Sequence, residues 1–136
     1  MELSDYQAQA LGKNLRVSWK DCTEIGRFIS GDDLEKAETR LQEVIDKSTP
    51  VPYTKFDSDV GHRPGQGSGR YPVKAAKEVL DVVQEAAANA EHQGLNPDNL
   101  YVQNVITNQG QEFATPKRHR GRSFKSAHVR VVVEEK

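Results

Sequence analysis

The sequence predicts an α+β fold with elements in the order β-α-α-α-β-β and a long hairpin that leaves the body. Three observations predict it. Apolar residues recur at helical spacing in three successive segments before residue 95, and two runs rich in β-branched and aromatic residues follow. The stretch between those two runs is polar and basic, too poor in apolar side chains to form a core of its own. Only 35% of the 136 residues are hydrophobic, so the core must be modest. No window approaches the roughly 20 apolar residues that cross a bilayer, and Met1-Glu2-Leu3-Ser4-Asp5 shows neither a basic start nor an apolar run, so neither a membrane partner nor a signal peptide is expected. The single cysteine, Cys22, rules out an intrachain disulfide and a multi-thiolate metal site, as expected in a reducing compartment.

Taken in order, residues 1–13 are polar and lack periodicity, which predicts an irregular arm. Leu15 and Val17 alternate with Arg16 and Ser18 as in a short, half-buried strand. Ser18 has the character of a helix N-cap, with Asp21 in the first turn. Trp19, Cys22, Ile25 and Phe28 or Ile29 then share one face of a helix that Gly31 ends. A second helix follows, with Asp32 as cap and Glu35 as its capping-box partner. Its apolar stripe is Leu34, Ala37, Leu41, Val44 and Ile45, and Pro50 and Pro52 stop it. Residues 53–70 hold four glycines between Gly61 and Gly69 and read as a long loop with little ordering force of its own. Pro72 opens the third helix, whose wide apolar band runs from Ala75 to Ala90, and Gly94 closes it in a left-handed conformation. This helix should be the spine of the core. Leu100–Thr107 and His128–Val133 read as strands, with Val129, Val131 and Val133 on one face. Paired as a hairpin, they would carry an arm of about fifteen residues that reaches on the order of 50 Å.

The near-neutral formal charge of −1 conceals a segregation. Residues 114–130 carry six basic side chains and no acid, which leaves thirteen bases against twenty acids elsewhere. Residues 78–100 hold five acids and neither Lys nor Arg. One element is therefore suited to a polyanion, while other faces are suited to solvent.

Catalytic and metal chemistry find little support. None of His62, His92, His119 and His128 is paired at i+3 or i+4, so no metal is expected. Cys22, on the inner face of a helix, reads as a small buried hydrophobe with no identifiable base to activate it. The Gly61–Arg70 loop precedes a helix but lacks the Gly-Lys-Ser/Thr ending of a nucleotide-binding loop. His62, Arg63, Arg70 and Lys74 suit contact with a sugar-phosphate backbone instead, with glycines permitting close approach. In the basic stretch, Arg118, Arg120 and Arg122 alternate with Lys117 and His119, so an extended backbone sends cations to both sides. Such a tip suits a path threaded through folded RNA, where arginine both pairs with phosphate and stacks on bases.

As a set, these residues resemble the large-subunit ribosomal protein twenty-two family in its archaeal and eukaryotic form. The resemblance runs through Leu15-Arg16-Val17-Ser18, Glu24-Ile25-Gly26-Arg27-Phe28-Ile29-Ser30-Gly31, Leu41-Gln42-Glu43-Val44-Ile45 and Val51-Pro52-Tyr53. It continues through Val60-Gly61-His62-Arg63, Gly69-Arg70-Tyr71-Pro72-Val73-Lys74-Ala75-Ala76 and Asn89-Ala90-Glu91-His92-Gln93-Gly94-Leu95. Pro116-Lys117-Arg118-His119-Arg120-Gly121-Arg122 and the closing His128–Glu135 strand complete it. The Gly-Arg-Tyr-Pro-Val-Lys-Ala-Ala block after Gly-His-Arg is its most specific part.

The resemblance implies three helices packed on a small three-stranded antiparallel sheet, with a long protruding β-hairpin. It implies a single ribosomal protein domain over residues 1–136, with a globular body at 14–99 and 129–136. The hairpin would occupy 100–133, its basic tip near 114–127. The expected function is that of a non-enzymatic structural constituent of the large ribosomal subunit, in the cytoplasm and without a cofactor. In the family, the body sits near the polypeptide exit, while the hairpin runs inward through ribosomal RNA and its tip lines the exit tunnel. The implied partners are large-subunit ribosomal RNA, neighbouring large-subunit ribosomal proteins and the nascent polypeptide passing the tip. The expected RNA-binding residues are His62, Arg63, Arg70, Lys74, Lys117, Arg118, His119, Arg120, Arg122 and Lys125; Lys125 matches the family's basic tip less closely than its neighbours do. The chain departs from the family in its near-neutral charge and acidic helix faces, which resemble members from high-salt cells. It has Trp19 where many members have proline, and a shorter segment between Arg122 and His128. The alternative from another class is a free-standing DNA- or RNA-binding regulator that uses the same basic hairpin.

Overall fold

The computed structural model describes residue 3 and residues 5–56, 59–63, 67–114 and 123–136. Its main sheet has three antiparallel strands, β1 (Gln7–Leu15), β5 (Leu100–Gln109) and β8 (Ala127–Glu135), with β8 in the centre. Three helices pack on one face of it: α1 (Trp19–Ile29), α2 (Leu34–Ile45) and α3 (Val73–His92). This is the α+β arrangement expected from the sequence.

Most of the supposed N-terminal arm is an edge strand. Ala8, Ala10 and Gly12 pair with Val133, Val131 and Val129 and turn inward against α3. The alternation is there, but its buried members are so small that they leave no hydrophobic signal. A Cβ at Gly12 would lie 2.7 Å from Val82 Cγ2, so glycine here permits the close approach of strand and helix. Val17 is buried beyond the end of the strand. Between Gly12 and Leu15 the register shifts, and Asn14, at φ 56°, donates its backbone N–H to His128 Nδ1 at 3.1 Å. That internal bond gives His128 a structural partner.

Helix α3 touches α1, α2, β1 and β8 and buries Ala75, Ala76, Val79, Val82, Val83, Ala86 and Ala90. It is the spine of the core. Pro72 is its N-cap rather than its first helical residue. At the other end Gly94, at φ 87°, donates to Glu91 O while Leu95 N–H donates to Ala90 O, the paired bonds of a left-handed helix stop. The cap of α2 is Asp33, not Asp32. Asp32 instead faces the Arg40 guanidinium at 3.0 Å, which draws its carboxylate away from the helix start. Ser18 does cap α1, but by its backbone; its side chain makes no capping bond.

Residues 51–70 form a second, smaller sheet where the composition pointed to a loop. Strands β2 (Val51–Pro52), β3 (His62–Arg63) and β4 (Gly67–Arg70) lie in the order β2-β4-β3. The ordering force is supplied from outside the segment. Glu24 on α1, 1% exposed, accepts backbone N–H bonds from Thr54, Lys55 and Phe56 at 2.9–3.0 Å. The Tyr53 hydroxyl donates to Asp21 at 2.7 Å.

Strands β5 and β8 pair from Leu100↔Glu135 to Gln109↔Ala127. The arm continues in β6 (Phe113–Ala114) and β7 (Ser123–Phe124), paired Phe113↔Phe124. Gly110 joins the two parts: its N–H donates to Ser126 O at 2.9 Å, and the buried Ser126 hydroxyl donates to Gln111 O. Any Cβ at Gly110 would collide with Ser126.

Candidate nucleic-acid interface

The described members of the expected site fall into two groups. His62, Arg63 and Arg70 lie on the small sheet, and Lys74 and Lys125 lie at the hairpin root. Lys117, Arg118, His119, Arg120 and Arg122 lie outside the described residues.

On the small sheet, His62 and Arg70 are exposed and Arg63 is half-buried. The Arg63 guanidinium lies 5.4 Å from the Tyr71 ring, and that of Arg70 lies 5.8 Å from the Tyr53 ring. Each arginine lies against an aromatic neighbour, a contact that restricts its rotamers; the exposed Arg70 keeps its donors open to an anion, whereas the Nε of Arg63 is buried. Gly69 lets the strands close here, since a Cβ would sit 3.3 Å from both Arg63 Cγ and Val51 O.

At the hairpin root, Arg16, Lys74 and Lys125 come from three separate segments to line one cleft of about 350 Å³ with Val17, Ser18, Asp21 and Ala75. Arg16 precedes α1, Lys74 is in the first turn of α3, and Lys125 lies just before β8. All three are exposed. The one acid in the lining, Asp21, is engaged by the Tyr53 hydroxyl. Burial, and then that hydrogen bond, push the Tyr53 phenol well above its ordinary range, so it remains a donor. The same tyrosine carries Arg70 on its ring, so Asp21 and Tyr53 join the cleft to the small sheet.

A second cleft of about 280 Å³ shares Lys125 and is lined by Trp19, Lys20, Gln109, Gly110, Glu112 and Ser126. Trp19 is braced by Phe56, edge to face, with ring centroids 5.0 Å apart. Lys20 Nζ lies 6.0 Å from the Trp19 ring centroid.

The sequence reading named Lys74 and Lys125 but not Arg16, which alternation had treated only as the outward member of a strand. Its place just before a helix cap, beside Ser18, was the available signal. Glu24 was missed as a positioning group. A carboxylate between Cys22 and Ile25, on a face otherwise turned to the core, marks a buried acid that needs partners. Cys22 is fully buried, and burial, with Asp21 and Glu78 beyond, pushes its thiol up to about 12. It is a packing residue.

Most other acids occupy a different part of the surface. Asp33, Glu35, Glu38 and Asp98 line a cleft between α2 and the turn before β5, and Asp81, Glu85 and Glu91 are exposed along α3. Burial, reinforced by Glu35, raises the Glu38 carboxyl above its usual range.

Comparison with known proteins agrees with this fold. The family model described as Ribosomal protein L22p/L17e matches residues 10–134. The chain is 39% identical to the large ribosomal subunit protein uL22 of Methanocaldococcus jannaschii, over 94% of this chain and 87% of that protein. It is 36% identical to the protein of the same name from Thermoplasma volcanium, over 99% of this chain and 95% of the relative. The counterpart from Methanococcus aeolicus is 37% identical over 94% and 89%. With a three-stranded sheet on three helices, a hairpin arm and a match over nearly its whole length, this chain belongs to the ribosomal protein L22p/L17e family, a family of ribosomal structural proteins rather than enzymes.

Proposed function

We propose that the protein is a structural component of the large ribosomal subunit in the cytoplasm. In this reading it binds large-subunit ribosomal RNA, supports assembly of the subunit and lines the polypeptide exit tunnel with its hairpin tip. The single observation that carries the RNA reading is the gathering of Arg16, Lys74 and Lys125 at the root of the arm, where they outnumber the one acid of the cleft, Asp21. Phosphate neutralised by these cations releases counterions, which supplies affinity without sequence specificity. His62, Arg63 and Arg70 extend the same interface across the small sheet. Lys117, Arg118, His119, Arg120 and Arg122 at the tip meet phosphates further inside the particle and stand nearest the nascent chain. The acidic faces of α2 and α3 face solvent or the basic surfaces of neighbouring ribosomal proteins.

The purified protein should bind a large-subunit ribosomal RNA fragment in preference to competitor RNA, and equal binding to both would refute the proposal. In cells it should co-sediment in stoichiometric amounts with large subunits, whereas a free-standing regulator would stay near the top of the gradient. Arg118→Glu combined with Arg120→Glu should block incorporation while leaving the body folded. Incorporation at the level of the unaltered protein would remove the hairpin from the interface.

A further inference from the structure

Two neighbouring residues, Ser18 and Trp19, line the two clefts at the hairpin root, and Lys125 lines both. One cleft gathers three cations from three separate segments of the chain, Arg16, Lys74 and Lys125. Its neighbour contains an indole that is half-buried, braced against Phe56 and still part of the cleft wall. The first surface fits a phosphate, and the second fits the flat face of an aromatic ring once the exposed Lys20 side chain, whose Nζ lies 6.0 Å from the Trp19 centroid, swings aside. Around the second cleft, Gln109 adds an amide capable of hydrogen bonding to the edge of a base.

We propose that the paired clefts form a site for one unpaired RNA nucleotide, its phosphate held by Arg16, Lys74 and Lys125 and its base stacked on Trp19. The inference rests on the RNA-binding reading above and deepens it. A stacked base requires a nucleotide splayed out of its helix, which is the form in which RNA presents a free aromatic face. Bracing by Phe56 fixes the indole before binding, so little side-chain freedom is lost when the base arrives. Because Lys125 lies at the root of the arm, occupancy of the site ties the hairpin to α1 and α3 at the moment RNA binds.

Trp19 is the one tryptophan of the chain, so its fluorescence reports on this site alone. Addition of a large-subunit ribosomal RNA fragment should quench it strongly, and the quench should follow the binding isotherm. Trp19→Leu should weaken binding about 5- to 160-fold, the range expected for loss of one stacked base. Trp19→Phe, which keeps a ring, should retain most of the affinity, and thermal unfolding of both variants separates stacking from misfolding. The triple variant Arg16→Gln, Lys74→Gln, Lys125→Gln should lower the dependence of log K on log salt by about 0.7, the value for one phosphate on a single strand. A fall of about three times that size would mean three separate phosphates and would overturn the shared site. Unchanged fluorescence on RNA binding, or a folded Trp19→Leu that binds like the parent, would overturn the stacking while leaving RNA binding itself intact. Failure of the unaltered protein to bind the fragment would overturn both this site and the RNA reading.

Discussion

Glu24 holds the loop at residues 54–56 through three backbone N–H groups, although it stands on a helix thirty or more positions away in sequence. Removing the carboxylate leaves those donors to whatever water reaches them and empties a buried site. Glu24→Ala should therefore cost about 2–4 kcal/mol in urea unfolding, from hydrogen bonds to a charged acceptor worth roughly 1.5–3 kcal/mol each before water compensates. Glu24→Gln keeps the volume and one acceptor oxygen and should lose less. Cys22 makes a different prediction, about pH. Its thiol ionises near 9.0 when unperturbed but only near 12 in the fold, because burial disfavours the thiolate. The unfolded chain therefore gives up the proton first. The stabilisation is complete below about pH 9 and is lost as pH rises towards 12. Replacing Cys22 with Ala should flatten that alkaline decline in the unfolding midpoint, and the parent thiol should resist modification by thiol reagents until the protein unfolds.

The elements differ in how openly the sequence declared them. Helix α3 was legible because its buried side chains recur over five turns and Gly94 provides the stop. Strand β1 was hidden because its inward positions are Ala8, Ala10 and Gly12, whose burial is set by how closely α3 approaches rather than by their own hydrophobicity. The small sheet was hidden for another reason: its order depends on Glu24 and Asp21, contacts that no local pattern reveals. In the candidate interface, Lys74 and Lys125 were recognisable as cations, but their meeting with Arg16 is a product of tertiary structure. Two substitutions test these elements. Gly12→Val should push β1 off α3 and cost about 1–3 kcal/mol, the usual penalty for overpacking. Gly94→Ala, at φ 87°, should cost roughly 1–2 kcal/mol without altering the rest of the fold. Chemical denaturation measures both.

Across the whole molecule, charge is sorted by location. Exposed acids line α3 and the start of α2, while cations collect at the hairpin root and the small sheet. Salt therefore acts in two directions. Raising ionic strength from 0.1 to 1 M shortens the screening length from about 10 to 3 Å, so repulsion among the acids weakens and the melting temperature of the free protein should rise by a few degrees. Affinity for RNA should fall over the same range, because releasing each counterion into more concentrated salt gains less entropy. A melting temperature that dropped with salt would show that attraction, not repulsion, dominates the body. The backbone stitch between Gly110 and Ser126 has a practical corollary for anyone who redesigns the arm. Lengthening both legs above it by matched two-residue steps preserves which side of the ribbon each side chain faces, whereas one added residue inverts every position beyond it. The fixed collar thus makes reach adjustable and direction not.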